Sequence, residues 1–195
     1  MMNLSSITDW DLSVLRTIAE IRNDALTVFF KIITFIGDYG IFWIAVCFTL
    51  LLIPKTKRIG IYATCSLSLQ LILGVVILKN IFDRDRPFIV DPTIDTIIKH
   101  PSDASFPSGH SSSSAATALS VFFQNKKLGT PLLILAVLIM FSRLYFEVHY
   151  LTDVIGGAVL GTAVAIFVYF ALNRLEERHK IKNSNPESET GTETE

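Results

Sequence analysis

Ser142 to Asp153 read SRLYFEVHYLTD, a stretch that places an arginine, a glutamate, a histidine and an aspartate between two apolar blocks. Ionisable groups at the ends of membrane helices are costly to desolvate, so they read as functional by default. His149 and Asp153 stand four apart. On a helix they share a face, where the carboxylate can hold the imidazole in one tautomer. That is the orienting half of a nucleophile or general-base arrangement.

Two further segments carry matching chemistry. Lys79 to Pro87 read KNIFDRDRP. Pro87 disfavours helix at Arg86, so a helix is predicted to end there with Lys79 and Arg86 near one surface. In FPSGH, Ser108 is a natural N-cap. Gly109 lets backbone N–H groups approach an anion at that helix N-terminus. With Arg143, these segments supply three cations, a helix N-terminus and the two histidines His110 and His149. The natural ligand is a phosphoryl group. Cations and backbone donors bind its equatorial oxygens, while one imidazole attacks in line and the other protonates the leaving oxygen. The cations do the work of a divalent metal. Asp83 and Asp85 lack the further oxygen ligands of a magnesium site, and the cations would repel zinc from the histidines. No metal or cofactor is expected.

Taken singly, Lys79 reads as a snorkelling span end, Arg86 as a head-group anchor and Ser108 as a helix cap. Their convergence on one face favours function. Arg84 and Glu147 are expected to pair locally, and His100 to be a plain loop residue.

The elements that must position these groups are membrane helices. The chain has 195 residues, 50% of them hydrophobic, in unbroken blocks rather than in the periodic pattern of a soluble domain. The expected fold is all-α, a polytopic membrane bundle of about five transmembrane helices plus N-terminal interfacial helices. Residues 1–38 are assigned to those interfacial helices, 39–182 to the membrane domain and 183–195 to a disordered acidic tail. In the first helix, capped by Ser5 or Thr8, an apolar face of Leu12, Leu15, Ile18 and Ile21 opposes Asp11, Arg16, Glu20 and Arg22. Ala25 to Ile36 is too short to cross, and Gly37, Asp38 and Gly40 break it. It is expected to lie at the interface or to fuse with the next block into one long tilted helix. The expected spans are Ile41 to Ile53, Ile59 to Leu78, Gly109 to Phe123, Leu132 to Tyr145 and Val154 to Leu172. Small residues fill the third, and Gly157 and Gly161 stand in GxxxG spacing in the fifth. Trp10 and Trp43 are expected at the interface or facing lipid, and Cys47 and Cys65 to be buried. No cleaved signal precedes the first span, which is expected to serve as the insertion signal.

Loop charge then orients the chain. Lys55, Lys57 and Arg58, Lys126 and Lys127, and Arg174 to Lys182 fall on one side, which is cytoplasmic by the positive-inside rule. Lys79, Arg86, His110, Arg143, His149 and Asp153 all fall on the opposite, extracytoplasmic face of the cell membrane, with the N-terminus. The formal net charge is −1, and the acidic tail accounts for four Glu. A nucleic-acid surface is absent. Partners reduce to the bilayer and a membrane lipid phosphate.

The pattern K-x6-RP, PSGH and SR-x5-H-x3-D, spread over Lys79 to Asp153, resembles the type 2 phosphatidic acid phosphatase family of membrane lipid phosphatases. The three motifs match in order and without departure. The resemblance implies His149 as nucleophile forming a phosphohistidine, Asp153 as its orienter and His110 as general acid. It implies Lys79, Arg86, Ser108, Gly109 and Arg143 as phosphate ligands. The short chain and the DASFPSGH context resemble bacterial undecaprenyl-diphosphate phosphatases, although, relative to longer bacterial members, a full N-terminal span is expected to be missing. Undecaprenyl diphosphate is the first expected substrate, followed by phosphatidylglycerol phosphate and phosphatidate. Two other readings stay open: a lipid phosphotransferase, and a non-catalytic protein that binds or transports lipid phosphates.

Overall fold

The computed structural model describes residues 4–184, and helices dominate them, with no strand. Helix α1 (Leu4–Ala19) begins ahead of the expected caps Ser5 and Thr8. Helix α2 (Asp24–Gly37) is started by Asn23, whose Oδ1 accepts from the Leu26 N–H at 3.0 Å. A 3-10 turn, Asp38–Gly40, then leads into α3 (Ile41–Leu52). Gly40 has φ +68°, a left-handed conformation that glycine adopts without strain. The turn bends α2 from α3 by 54°. Neither helix spans a bilayer by itself, but together they are long and apolar enough for one broken span. The expected interfacial helix and the expected first span are thus two arms of one bent element.

The next expected span starts as α4 (Lys57–Gln70) and passes through a π-helical stretch, Leu71–Leu78, into α5 (Lys79–Phe82). The Lys79 N–H donates to the Gly74 carbonyl, five residues back. Asp83, at φ +39°, closes α5 before the predicted end at Arg86. Arg86 is extended, as a residue before proline should be, and Pro87 opens the single-turn α6 (Pro87–Val90). After a loop come α7 (Gly109–Gln124), α8 (Lys126–Tyr145) and α9 (Leu151–Ser184). The run Lys57–Val90, α8 and α9 are long and apolar enough to cross a membrane. Helix α7, with 16 residues, is the shortest of the expected spans after α3. It packs on α4, α8 and α9, and its small residues Ser111, Ser112, Ser114, Ala116 and Ala118 are buried among them.

That central packing depends on missing side chains. A Cβ on Gly157 would lie 2.5 Å from the Ser108 carbonyl oxygen, and one on Gly161 would lie 2.3 Å from that of Ser112. The GxxxG spacing therefore brings α9 backbone to backbone with α7. Gly161→Leu is expected to lose about 3 kcal/mol of stability through overpacking. Thermal unfolding in detergent checks this, and an unchanged midpoint would contradict the close approach.

The main core gathers Phe30 and Ile33 of α2, Trp43 and Cys47 of α3, Ala63 and Leu67 of α4, Val121 of α7 and Ile139 of α8. Trp43 does not face lipid as expected. It is fully buried, and its Nε1–H donates to Ser114 Oγ at 3.0 Å. That bond satisfies the indole in an apolar setting. Cys47 is buried, whereas Cys65 is on the outer surface of the bundle, contrary to expectation. Helix α1 packs Leu12 and Leu15 on Leu144, Tyr150 and Val154.

At the far end, the basic segments that loop charge assigned to one side meet. Arg58 donates to Gln124 at 2.7 Å, to Asn173 at 2.9 Å and to Glu176 at 2.9 Å. Helix α9 continues through Asn183 and Ser184, where the acidic tail was expected to begin. The rest of that tail lies outside the described residues.

Candidate active site

His149 lies in the turn between α8 and α9, and Asp153 stands in the first turn of α9. The pair is therefore formed across a helix start rather than along a helix. His149 Nδ1 and Asp153 Oδ2 are 3.4 Å apart. On the other side of the ring, Nε2 is 3.3 Å from Arg86 Nη1. A guanidinium only donates, so Nε2 holds the lone pair and the proton sits on Nδ1, facing Asp153. Burial pushes the His149 imidazole down to about 3, outweighing the hydrogen bond to Asp153, and the Arg86 and Arg143 charges act the same way as burial. The ring is held neutral with its lone pair at Nε2, facing Arg86, the tautomer a nucleophile needs.

Asp153 is itself fully buried. It accepts from the Tyr150 N–H at 3.0 Å, from Arg84 Nη1 at 2.7 Å and from the Ser105 hydroxyl. A carboxylate so saturated stays ionised and fixed in direction. Arg84 also reaches Asp11 of α1 at 2.9 Å and lies 3.9 Å over the Tyr150 ring. It does not pair locally as expected, because it ties α1 to the support of His149. Asp11 is fully buried and accepts from the Thr152 N–H at 3.1 Å, so it is not part of a solvated face. Glu147 does not pair locally either, since it lies 2.7 Å from Arg22, in the link between α1 and α2.

Lys79, Arg86, Gly109, His110, Arg143 and His149 all line one cavity of about 720 Å³. Ser108 and Asp153 sit behind it. Ser108 is buried, caps α7 through its Oγ and donates its N–H to the Asp153 carbonyl at 3.1 Å. Arg86 is locked by bonds to the Val148 carbonyl at 2.7 Å, the Asp103 carbonyl at 2.8 Å and the Asp103 carboxylate at 2.7 Å. Lys79 ion-pairs with that same carboxylate. Burial alone would raise the Asp103 carboxyl, but the Lys79 and Arg86 hydrogen bonds and charges hold it at about 2. Asp103 thus bridges two cations as a phosphate would. Arg143 is buried and donates to the Thr34 hydroxyl, while its Nε has no partner among the described residues. His110 Nε2 is 3.1 Å from Asp38 Oδ1. His100 is more than a plain loop residue, since it lines the cavity and stacks on Phe88 at 4.2 Å.

These contacts gather cations beside an oriented imidazole, in a cavity that Phe35, Ile44, Leu67, Leu71 and Val75 also line. The PAP2 superfamily profile matches residues 58–177. The chain belongs to the PAP2 superfamily. Undecaprenyl-diphosphatase BcrC of Bacillus subtilis is 32% identical over 152 residues, 74% of this chain and 75% of that protein. Among solved structures, a transmembrane PAP2-type phosphatidylglycerolphosphate phosphatase from Bacillus subtilis superposes with a TM-score of 0.72 at 26% identity, covering 88% of this chain and 89% of that one. LpxE of Aquifex aeolicus superposes with a TM-score of 0.71 at 27% identity, covering 81% and 93%. This PAP2 protein is a membrane lipid phosphatase, a hydrolase of phosphoric monoesters or acid anhydrides.

The three PAP2 motifs were legible as motifs. Asp11, Asp38, Arg84, Asp103 and Ser105 were not, since each lies outside the motif positions and meets its partner only across the fold. The available signals were Asp38, an acid placed in the break of an otherwise apolar run, and the DASFPSGH stretch, which opens with Asp103 and Ser105.

Proposed function

We propose that this PAP2 enzyme removes the terminal phosphate of a polyprenyl diphosphate, with undecaprenyl diphosphate as first substrate, on the extracytoplasmic face of the cell membrane. The observation that carries the reading is the neutral His149 ring, whose Nε2 lies 3.3 Å from Arg86 Nη1 in the lining of a cavity that apolar side chains also line. His149 Nε2 attacks the terminal phosphorus, and the bond from phosphorus to the bridging oxygen breaks in line. The lipid monophosphate leaves with a proton from His110. Water then attacks the phosphohistidine, His110 takes its proton, and inorganic phosphate departs. Lys79, Arg86, Arg143 and the Gly109 N–H bind the phosphoryl oxygens and stabilise their charge through the transition state. Similarity to an undecaprenyl-diphosphatase over three quarters of that protein supports the diphosphate. The apolar walls suit an isoprenoid chain, and the face follows from the basic residues at the opposite end of the bundle.

The test is inorganic phosphate release from undecaprenyl diphosphate, phosphatidylglycerol phosphate and phosphatidate, in detergent with EDTA. The expected outcome is full activity with the chelator and the highest kcat/KM on the diphosphate. Activity that vanishes with EDTA overturns the metal-free route. Preference for phosphatidylglycerol phosphate reassigns the substrate but not the chemistry. Transfer of label to a second lipid in place of water would make the protein a phosphotransferase.

A further inference from the structure

The bend between α2 and α3 is unusual for a membrane element. It places an acid, Asp38, in a polar turn between two apolar arms. The turn is packed directly on His110. A Cβ on Gly37 would lie 2.8 Å from His110 Cδ2, so only glycine admits the ring at this distance. Gly37, Asp38 and His110 all line the cavity. Asp38 Oδ1 stands 3.1 Å from His110 Nε2, while the side chain of Asp38 remains 41% exposed toward the opening.

From this geometry we infer that Asp38 is the positioning residue of the general acid, forming with His110 a second His–Asp pair that matches His149–Asp153. The inference rests on the proposed acid role of His110. With Nε2–H donating to Asp38, Nδ1 is the nitrogen left to face the leaving oxygen. His110 enters the first step as imidazolium. As the phosphorus–oxygen bond breaks, the Nδ1 proton passes to the leaving oxygen and the ring becomes neutral, while Asp38 stays a carboxylate. In the second step Nδ1 takes a proton from the attacking water. An imidazolium that shares its cavity with Lys79 and Arg143 is repelled by both, and the Asp38 carboxylate offsets that repulsion while fixing the ring. The broken helix therefore serves the chemistry, because its turn carries the acid's partner to the His110 ring from an element outside the three motifs.

The experiment compares leaving groups. Decyl phosphate expels an alkoxide that needs a proton, whereas p-nitrophenyl phosphate expels a phenolate that does not. His110→Ala is expected to slow the release of decanol in the first, pre-steady-state turnover by about 100-fold or more and to leave the first-turnover release of p-nitrophenolate largely in place, because its loss as base in the second step falls on both esters alike. Asp38→Asn is expected to show the same selectivity at about 10- to 100-fold. Equal losses on both esters, or no loss on either, for Asp38→Asn overturn the pairing while leaving the acid role of His110 intact. A His110→Ala enzyme without the selectivity overturns the acid role itself, and the pairing with it.

Discussion

His149→Ala is expected to abolish phosphate release, a loss of about 10⁴-fold or more in kcat, because it removes the imidazole that Asp153 orients for in-line attack. Its neighbours are all unsuited to that role. Arg86 and Arg143 only donate, and Asp103 is held by Lys79 and Arg86. His110 is engaged with Asp38 through one nitrogen. The fold should survive the change. His149 makes its bonds at the cavity wall, and the turn around it is held independently. Tyr150 N–H and Arg84 both bind Asp153, and Asp11 binds Thr152 N–H. The checks are steady-state phosphate release together with size-exclusion and thermal profiles in the same detergent. Acid-labile, base-stable labelling by phosphate should appear in the wild type and vanish in the variant. Retained turnover by a folded His149→Ala enzyme would remove the phosphohistidine from the mechanism.

Arg143→Met is expected to separate stability from activity. Arg143 is a guanidinium at 3% exposure whose one side-chain hydrogen-bond partner among the described residues is the neutral Thr34 hydroxyl. Burying an ion without a matched counter-ion costs several kcal/mol, so removing the charge at similar volume should stabilise the ligand-free protein by about 1–4 kcal/mol. The same change deletes a donor aimed at the phosphate and should lower kcat/KM by about 10²- to 10³-fold. Inorganic phosphate or vanadate should raise the thermal midpoint of the wild type and leave that of Arg143→Met in place. A variant with a lower midpoint and intact kcat/KM would show that Arg143 is a structural residue.

Asp103 illustrates how two buried cations are held side by side. Two buried cations, Lys79 and Arg86, would repel each other without an anion between them. Asp103 supplies it from a loop, with its side chain 53% exposed and free to yield to phosphate oxygens. No carboxylate is bonded to Arg143 among the described residues, and it is the cation with an unpaired nitrogen and the one whose removal should stabilise.

The catalytic types, their order and the membrane class were determined by the sequence alone. Apolar runs of span length must fold as helices in a bilayer, since every backbone group has to be satisfied internally. Motifs at the ends of those helices fall on one face once loop charge sets the orientation, so the sequence alone groups Lys79, Arg86, His110, Arg143, His149 and Asp153. The tautomer of His149 is not legible there. It depends on Arg86 lying 3.3 Å from Nε2, a distance created where the α5–α6 turn meets the α8–α9 turn. The supporting residues were equally hidden. Asp11 sits on what reads as the polar face of an amphipathic helix, and only tertiary packing turns that face onto Thr152 and Arg84. Arg84 and Asp38 find partners at sequence separations of 69 and 72, where no local pattern reaches. The π-helical stretch before Lys79 and the bend at Asp38–Gly40 were likewise decided by the fold. Periodicity reports which residues are apolar and how they recur. It says nothing of where a helix is unwound by one residue, or of which buried polar group its neighbour must satisfy, and those two facts complete this site.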